Sequence, residues 1–542
     1  MRRISTAIKV IFPLIVILLL ILLILAPIFS KPDTRVLANG ASLTWTKCWF
    51  TVPSKRKVRC GWYKPHGIQP DKTNIKIPIV YIHYRFKTQA TPVLHINGGP
   101  GYSTGLDKKG INRWLQWVDQ TGWKRDVVFW DHRGTGLSTP LPVCDQLLET
   151  SISGLSQNQT MTTEVNLWYQ FMQKCQQQFK KLNIPLNTFS TENSVQDSLN
   201  IMALIGAKRW KIYASSYGTR VALQIMRDAP QNIDAVILDS VYPTRIHDLL
   251  VTPYFINSAF NALFNACSYH YICFKLFPSL EKSIQNAVKI LNQSPQTYYV
   301  KVAGIPQKIK VVLNGNRLIW AIHGAMYDWT HIEKIPAYIY YVKNKQWVKL
   351  HNLVKDYATK VLEPSFIPIT YYSTECRDRQ RRISEQDYNN ELAKYPFIKP
   401  HINTLWKKDV CQFWTAGRTT QRYFVPVKSN IPTLIMNGML DPATPWQWAK
   451  EVHKNMDNSF LFIIKGVGHG AVDGDQCGAA TAKAFLNKPQ QKPILKCQKS
   501  WQHPLFKLPK SLLKLPNKDK AKTHPKINNL KAPDSKPQAI AH

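Results

Sequence analysis

Acidic residues are scarce. Asp and Glu number 33 in 542 residues against 71 Lys and Arg, a formal charge of +38 near neutral pH. A field of that sign draws a protein toward anionic surfaces or ligands but fixes neither fold nor reaction. Nucleic acid is one partner such a balance raises, yet zinc-finger spacing, an aromatic-basic RNA-binding signature and a Gly-rich phosphate loop are all missing. No specific nucleic acid is therefore expected. Gly and Pro number only 24 and 35 while hydrophobic residues reach 44%, which excludes collagen-like, low-complexity and disordered chains. The length excludes a small disulfide toxin or a lone binding module and suits one large core with a big insertion.

The ten cysteines lack the CxxC or Cys/His spacing of a metal site, so no metal is expected. They fall instead as sequence neighbours: Cys48 and Cys60, Cys144 and Cys175, Cys267 and Cys273, Cys376 and Cys411, Cys477 and Cys497. Five neighbour disulfides are the economical reading, spacing alone leaving the connectivity open, and they imply an oxidising compartment. Met1-Arg2-Arg3 and Lys9 precede an apolar run from Val10 to Phe29. Twenty residues at helical rise span about 30 Å, a bilayer core, and upstream positive charge keeps the N-terminus in the cytoplasm. Residues 1–30 thus read as a signal anchor or signal peptide. The expected location is exported, periplasmic or extracellular, anchored to the inner membrane if the segment is uncleaved.

Residues 31–45 read as a linker. Ile75 to Phe86 patterns as a strand, with Pro78 suggesting an edge position. Short apolar runs follow at 93–96, 127–130, 210–213, 235–238, 433–436 and 460–464, with helical patterns such as Val195 to Leu204 between several of them. Strands alternating with helices predict an α/β fold with a mostly parallel sheet covered on both faces. The expected organisation is a core over 46–244 and 429–497, interrupted by a mainly helical cap over 245–428. Residues 498–542 carry ten Lys and two Asp and read as a basic, disordered tail, a candidate contact for an anionic surface.

Ile212-Tyr213-Ala214-Ser215-Ser216-Tyr217-Gly218 follows a strand and opens a helical pattern, the context of a nucleophile elbow. Small residues two before and two after the nucleophile let helix and strand approach. Ala214 and Gly218 satisfy that for Ser216; for Ser215 the second position would be bulky Tyr217. A serine hydroxyl needs an imidazole base, and the imidazole needs a carboxylate to fix its tautomer. Asp441, in a turn after one strand, and His469, in a Gly-flanked loop after the next, supply them in the order Ser, Asp, His of α/β-hydrolases. Asn97-Gly98-Gly99-Pro100-Gly101 follows the strand at 93–96, and the backbone N–H groups of Gly98 or Gly99 with that of Tyr217 are the oxyanion-hole candidates.

Gly98-Gly99-Pro100-Gly101, Trp130-Asp131-His132-Arg133-Gly134-Thr135-Gly136, Ser216-Tyr217-Gly218-Thr219 and Asp441-Pro442-Ala443-Thr444-Pro445 together resemble the proline iminopeptidase and tripeptidyl aminopeptidase family of α/β-hydrolases, over roughly residues 45–500. Three positions depart from its pattern: Asn97 for His, His132 for Gln and Ala214 for Gly. The resemblance implies an α/β-hydrolase fold with a cap, and a serine exopeptidase that takes one to three residues from a free peptide N-terminus without a cofactor. Such an enzyme must bind an ammonium group, for which a cap carboxylate is suited. Glu375 and Asp378, flanking Cys376 in an acid-poor region, are the candidates, with surface pairing to the neighbouring arginines as the alternative. A carboxylesterase or lipase using the same triad, and a non-catalytic binding protein on a hydrolase scaffold, are the rival readings.

Overall fold

The computed structural model describes residues 33–66, 74–86, 88–181, 184–246, 248–379, 383–473, 476–494 and 506–508. The apolar N-terminal run, Cys497 and the tail apart from 506–508 lie outside the described residues. Among the described residues no helix is long and apolar enough to cross a membrane.

The apolar runs become strands. In chain order they are β1 (Thr34–Val36), β2 (Ser42–Thr46), β3 (Val58–Lys64), β4 (Ile77–Ile82), β5 (Val93–Ile96), β6 (Val127–Trp130), β7 (Trp210–Ser215), β8 (Ile233–Asp239), β9 (Gln296–Val300), β10 (Ile309–Leu313), β11 (Thr433–Gly438) and β12 (Ser459–Ile464). Ten of them form one sheet in the order β1-β2-β3-β4-β6-β5-β7-β8-β11-β12, while β9 and β10 pair separately. β1 to β4 are antiparallel and β4 meets β6 antiparallel; from β6 to β12 all neighbours are parallel. The parallel strands are mostly apolar because helices cover both sheet faces. Thr191–Ile205 and Tyr217–Asp228 pack on one face, Gly110–Thr121 and Gln476–Asn487 on the other. This is the α/β-hydrolase fold. From β5 the chain steps to β6 on one side and returns to β7 on the other. Strand order therefore reverses between β5 and β7, the place where such sheets open a crevice at their carboxyl ends.

Between β8 and β11 the helices from Asp248–Tyr269 to Lys399–Ile402 and the β9–β10 hairpin share one apolar core that includes Phe260, Ile284, Leu318 and Ile339, except for the helix Pro368–Arg377, whose Ile369 packs with Phe171, Met172 and Trp414. The excursion after β6 joins this cap, a departure from the expected core boundary. Arg317 of the cap, its side chain buried, donates Nε to Glu164 at 2.7 Å and its other nitrogens to the carbonyls of Gly154, Leu155 and Val312. The helices Leu147–Ser156 and Met161–Lys181 are thereby stitched to the cap.

Three other expectations are corrected. Residues 31–45 are not a linker in their described part: β1 and β2 extend the sheet, Leu43 is buried, and Arg35 caps the carbonyls of Leu204 and Ile205 at 3.0 and 2.8 Å. Pro78 sits in an interior strand, opposite Trp62 of β3, and pairing with β6 starts only at Ile79, so its missing N–H costs no ladder bond. In the tail, Phe506 and Leu508 bury themselves against the cap, and the Lys507 N–H donates to the Glu333 carbonyl at 2.8 Å. Four neighbour disulfides are formed, Cys48–Cys60, Cys144–Cys175, Cys267–Cys273 and Cys376–Cys411; the fifth expected pair includes Cys497, outside the described residues.

Candidate active site

Ser216 occupies the turn between β7 and the helix Tyr217–Asp228, with φ 53 and ψ −125. A non-Gly residue there is strained, and such strain is held only where the surroundings over-determine it. The surroundings are tight: a Cβ on Gly218 would lie 2.3 Å from the Ile96 carbonyl oxygen and 2.7 Å from that of Asn97. Only glycine lets the helix start so close to β5. On the other side of the switch point, a Cβ on Gly98 would meet Ser216 Cβ at 2.9 Å and Oγ at 3.5 Å. Gly98 thus lies against the hydroxyl. Gly99, at φ +125, turns the loop, where an added Cβ would meet the amide nitrogens of Gly101 and Tyr102 at 2.8 and 3.0 Å.

Two of the three departures from the family pattern touch each other. His132 is buried and neutral, burial depressing its pKa to about 4, and its Nε2 donates to the Asn97 carbonyl at 3.2 Å. Asn97 Nδ2 in turn donates to the Tyr102 carbonyl at 3.2 Å, closing the glycine loop. A histidine from the loop after β6 thus contacts the residue that stands where the resemblance expects one.

Asp441 follows β11 and is buried. Its Oδ1 accepts the N–H groups of Ala443 and Thr444 at 2.9 and 2.8 Å, and its Oδ2 the Thr444 hydroxyl at 2.8 Å. Both oxygens lie 2.9 Å from His469 Nδ1, which fixes the proton on Nδ1 and leaves Nε2 as the acceptor. Burial alone would depress the His469 pKa. The charge and hydrogen bond of Asp441, reinforced by Asp239, outweigh it and hold the imidazole above its ordinary value. A base must be neutral to take a proton, so activity is expected to fall on acidification through a pKa above that of a free histidine. A profile of kcat/KM against pH checks this, and the acidic limb is expected lower in Asp441→Asn.

The cap reaches both loops, which the sequence pattern did not disclose. The His469 N–H donates to the Tyr327 carbonyl at 3.2 Å, and the Tyr327 ring meets the imidazole edge-on with centroids 5.3 Å apart. A Cβ on Gly468 would lie 1.9 Å from the Met326 carbonyl oxygen. His323 Nε2 donates to the Pro442 carbonyl beside Asp441 at 3.1 Å. Nothing local marks His323 or Tyr327; they belong to an apolar helix and its end.

Glu375 and Asp378 are both buried, at the end of the helix Pro368–Arg377. Glu375 accepts the Tyr242 hydroxyl at 3.0 Å. Asp378 accepts the Thr191 hydroxyl at 2.5 Å and pairs with Arg220 at 3.2 Å, and Thr191 also meets the Tyr217 hydroxyl at 2.9 Å. Burial raises the Asp378 pKa. Of the nearby arginines, Arg377 pairs with Glu192 at 2.6 Å and Arg379 meets Asp409, while Arg381 and Arg382 lie outside the described residues. The two carboxylates join the residue after the nucleophile in one buried network.

Residues 398–496, which include Asp441 and His469, match the family model of TAP-like proteins. No curated protein matches the chain by sequence. Among solved structures it is similar to a proline iminopeptidase from Mycobacterium smegmatis, at 12% identity and a TM-score of 0.34, covering 80% of this chain and 98% of that one. It is also similar to an esterase from Exiguobacterium antarcticum, at 12% identity and a TM-score of 0.32, covering 77% and 97%.

Proposed function

We propose that the protein is a serine hydrolase that removes one or a few residues from the free N-terminus of peptides. The observation that carries the hydrolase reading is the bonding of His469 Nδ1 to both oxygens of buried Asp441, with Ser216 strained on its elbow beside Gly98. In this reading Ser216 Oγ attacks the carbonyl carbon, and His469 Nε2 takes the hydroxyl proton and delivers it to the leaving amine. Asp441 holds the imidazole and stabilises its charged form. The N–H groups of Gly98 and Tyr217 receive the oxyanion, each such donor being worth roughly 100- to 1,000-fold in rate. Water then frees the acyl group by the same route.

The peptide reading rests on the TAP-like match and on the buried carboxylates behind Tyr217. Glu375, which accepts the Tyr242 hydroxyl, and Asp378, which pairs with Arg220, are the candidates for the substrate ammonium. One observation favours an esterase instead: the tilted rings of Tyr102, Phe366 and Tyr371 cluster beside the glycine loop, with centroids 4.8 and 5.5 Å apart, an apolar wall suited to an acyl chain. The four disulfides support export to an oxidising compartment.

The test is chromophore release from a prolyl amide, a tripeptidyl amide and a short-chain ester, each with Ser216→Ala in parallel. Amide turnover lost on N-acetylation and in the variant is the expected result. Ester turnover alone would move the protein to the esterases, and silence on all three with no labelling of Ser216 by a fluorophosphonate would sink the enzyme reading.

A further inference from the structure

β8 carries no triad residue, yet its end lies between all three. The Asp239 carbonyl accepts the N–H of Ser216 at 2.8 Å. Its carboxylate accepts the N–H groups of Ala471 and Val472, at 2.6 Å on Oδ1 and 3.0 Å on Oδ2. The next residue, Ser240, accepts the Gly470 N–H on its hydroxyl at 2.8 Å and donates its own N–H to Met436 of β11 at 2.8 Å. Val241 completes the set, donating to Asn437 Oδ1 at 2.9 Å. Ser240 holds φ +58, a second strained non-Gly position at the same edge of the sheet as Ser216.

We infer that Asp239 and Ser240 are positioning residues that set Ser216 and His469 at their working separation, an inference that rests on the triad reading above. The nucleophile elbow, the base loop and the strand leading to Asp441 come from distant parts of the chain, and this dipeptide bonds to all three. The base loop has little rigidity of its own, since Gly468 and Gly470 flank the histidine and Gly470 adopts φ +83. Three consecutive N–H groups, of residues 470 to 472, are fixed by two side chains, and two of those bonds go to a carboxylate, the stronger kind. The reacting groups tolerate little slack: a misplacement of about 1 Å costs on the order of 100-fold in rate.

The carboxylate has an electrostatic part as well. Asp239 is wholly buried; Tyr213 donates its hydroxyl to Oδ2 at 3.3 Å, and Asp473, itself held by Trp117 at 2.7 Å, faces it across that tyrosine. Burial and Asp473 push its pKa up to about 7, while Asp239 in turn raises that of His469.

Asp239→Asn and Ser240→Ala are the test, measured with whichever substrate the wild type turns over. Asp239→Asn keeps the shape, removes the charge and turns one donor toward a donor. It is expected to lower kcat about 100-fold with KM within about twofold, to slow fluorophosphonate labelling of Ser216 in parallel, and to shift the acidic limb of the pH profile downward. Ser240→Ala leaves the carboxylate in place and is expected to lower kcat about tenfold, the worth of one hydrogen bond, with no shift of the limb. The second variant carries the test if the first does not fold. Folded variants that keep wild-type kcat, labelling rate and pH limb, or that lose only thermal stability, overturn this inference alone. A wild type inert to every substrate and to the probe overturns the triad reading and this inference with it.

Discussion

Alanine at position 216 is expected to lower kcat by roughly five to six orders of magnitude, the loss seen when the nucleophile of a triad is removed, because the three groups work as a unit. What remains should come from the oxyanion donors and binding, which still favour the transition state over water. Turnover above about one percent of wild type would exclude Ser216 as nucleophile. The backbone supplies a second readout. Ser216 sits at φ 53 and ψ −125, a conformation that costs an ordinary residue on the order of 1–3 kcal/mol and glycine little. Ser216→Gly should therefore be as inactive as the alanine variant yet melt higher, and thermal unfolding of the two side by side separates the loss of the hydroxyl from the release of strain.

Asp441→Asn is expected to lower kcat by about four orders of magnitude with the fold intact, through the tautomer of the base. The geometry makes the direction of the amide predictable. Oδ1 accepts the N–H groups of Ala443 and Thr444, so the amide oxygen is pinned there and the NH2 group takes the place of Oδ2, which lies 2.9 Å from His469 Nδ1, as Oδ1 does. A donor at that place forces the imidazole proton onto Nε2, where it points at the serine instead of receiving its proton. Loss below tenfold in a folded variant would show that some other group orients His469.

Ser216, Asp441 and His469 were legible because each stands in a short local pattern: an apolar strand, then a small or turn-forming residue, then the chemistry. The same locality explains what was missed. Val36 and Arg35 look like linker residues; the strand they form pairs with β2, and Arg35 reaches the carbonyls of Leu204 and Ile205 at a helix end far along the chain. Pro78 argues for an edge until the register of its neighbours shows that the lost N–H had no partner to bond. Glu375 and Asp378 are three residues apart and chemically alike in sequence; the fold gives Asp378 an ion pair with Arg220, from a helix far upstream, and Glu375 a hydrogen bond from Tyr242. Asp239 carries no such local mark: it ends an apolar run as many strand residues do, and its partners lie more than 200 positions away in the base loop.

The four disulfides each join a cysteine to the next one along the chain, with separations of 12, 31, 6 and 35 residues, and none encloses or crosses another. Any four cysteines allow three connectivities, of which only the consecutive one can close before the third cysteine has emerged. A chain that meets oxidant N-terminus first therefore reaches these pairs in the order in which its cysteines appear. Formation of these four bonds is therefore expected to need an electron acceptor but no disulfide isomerase, which oxidative refolding with and without an isomerase checks.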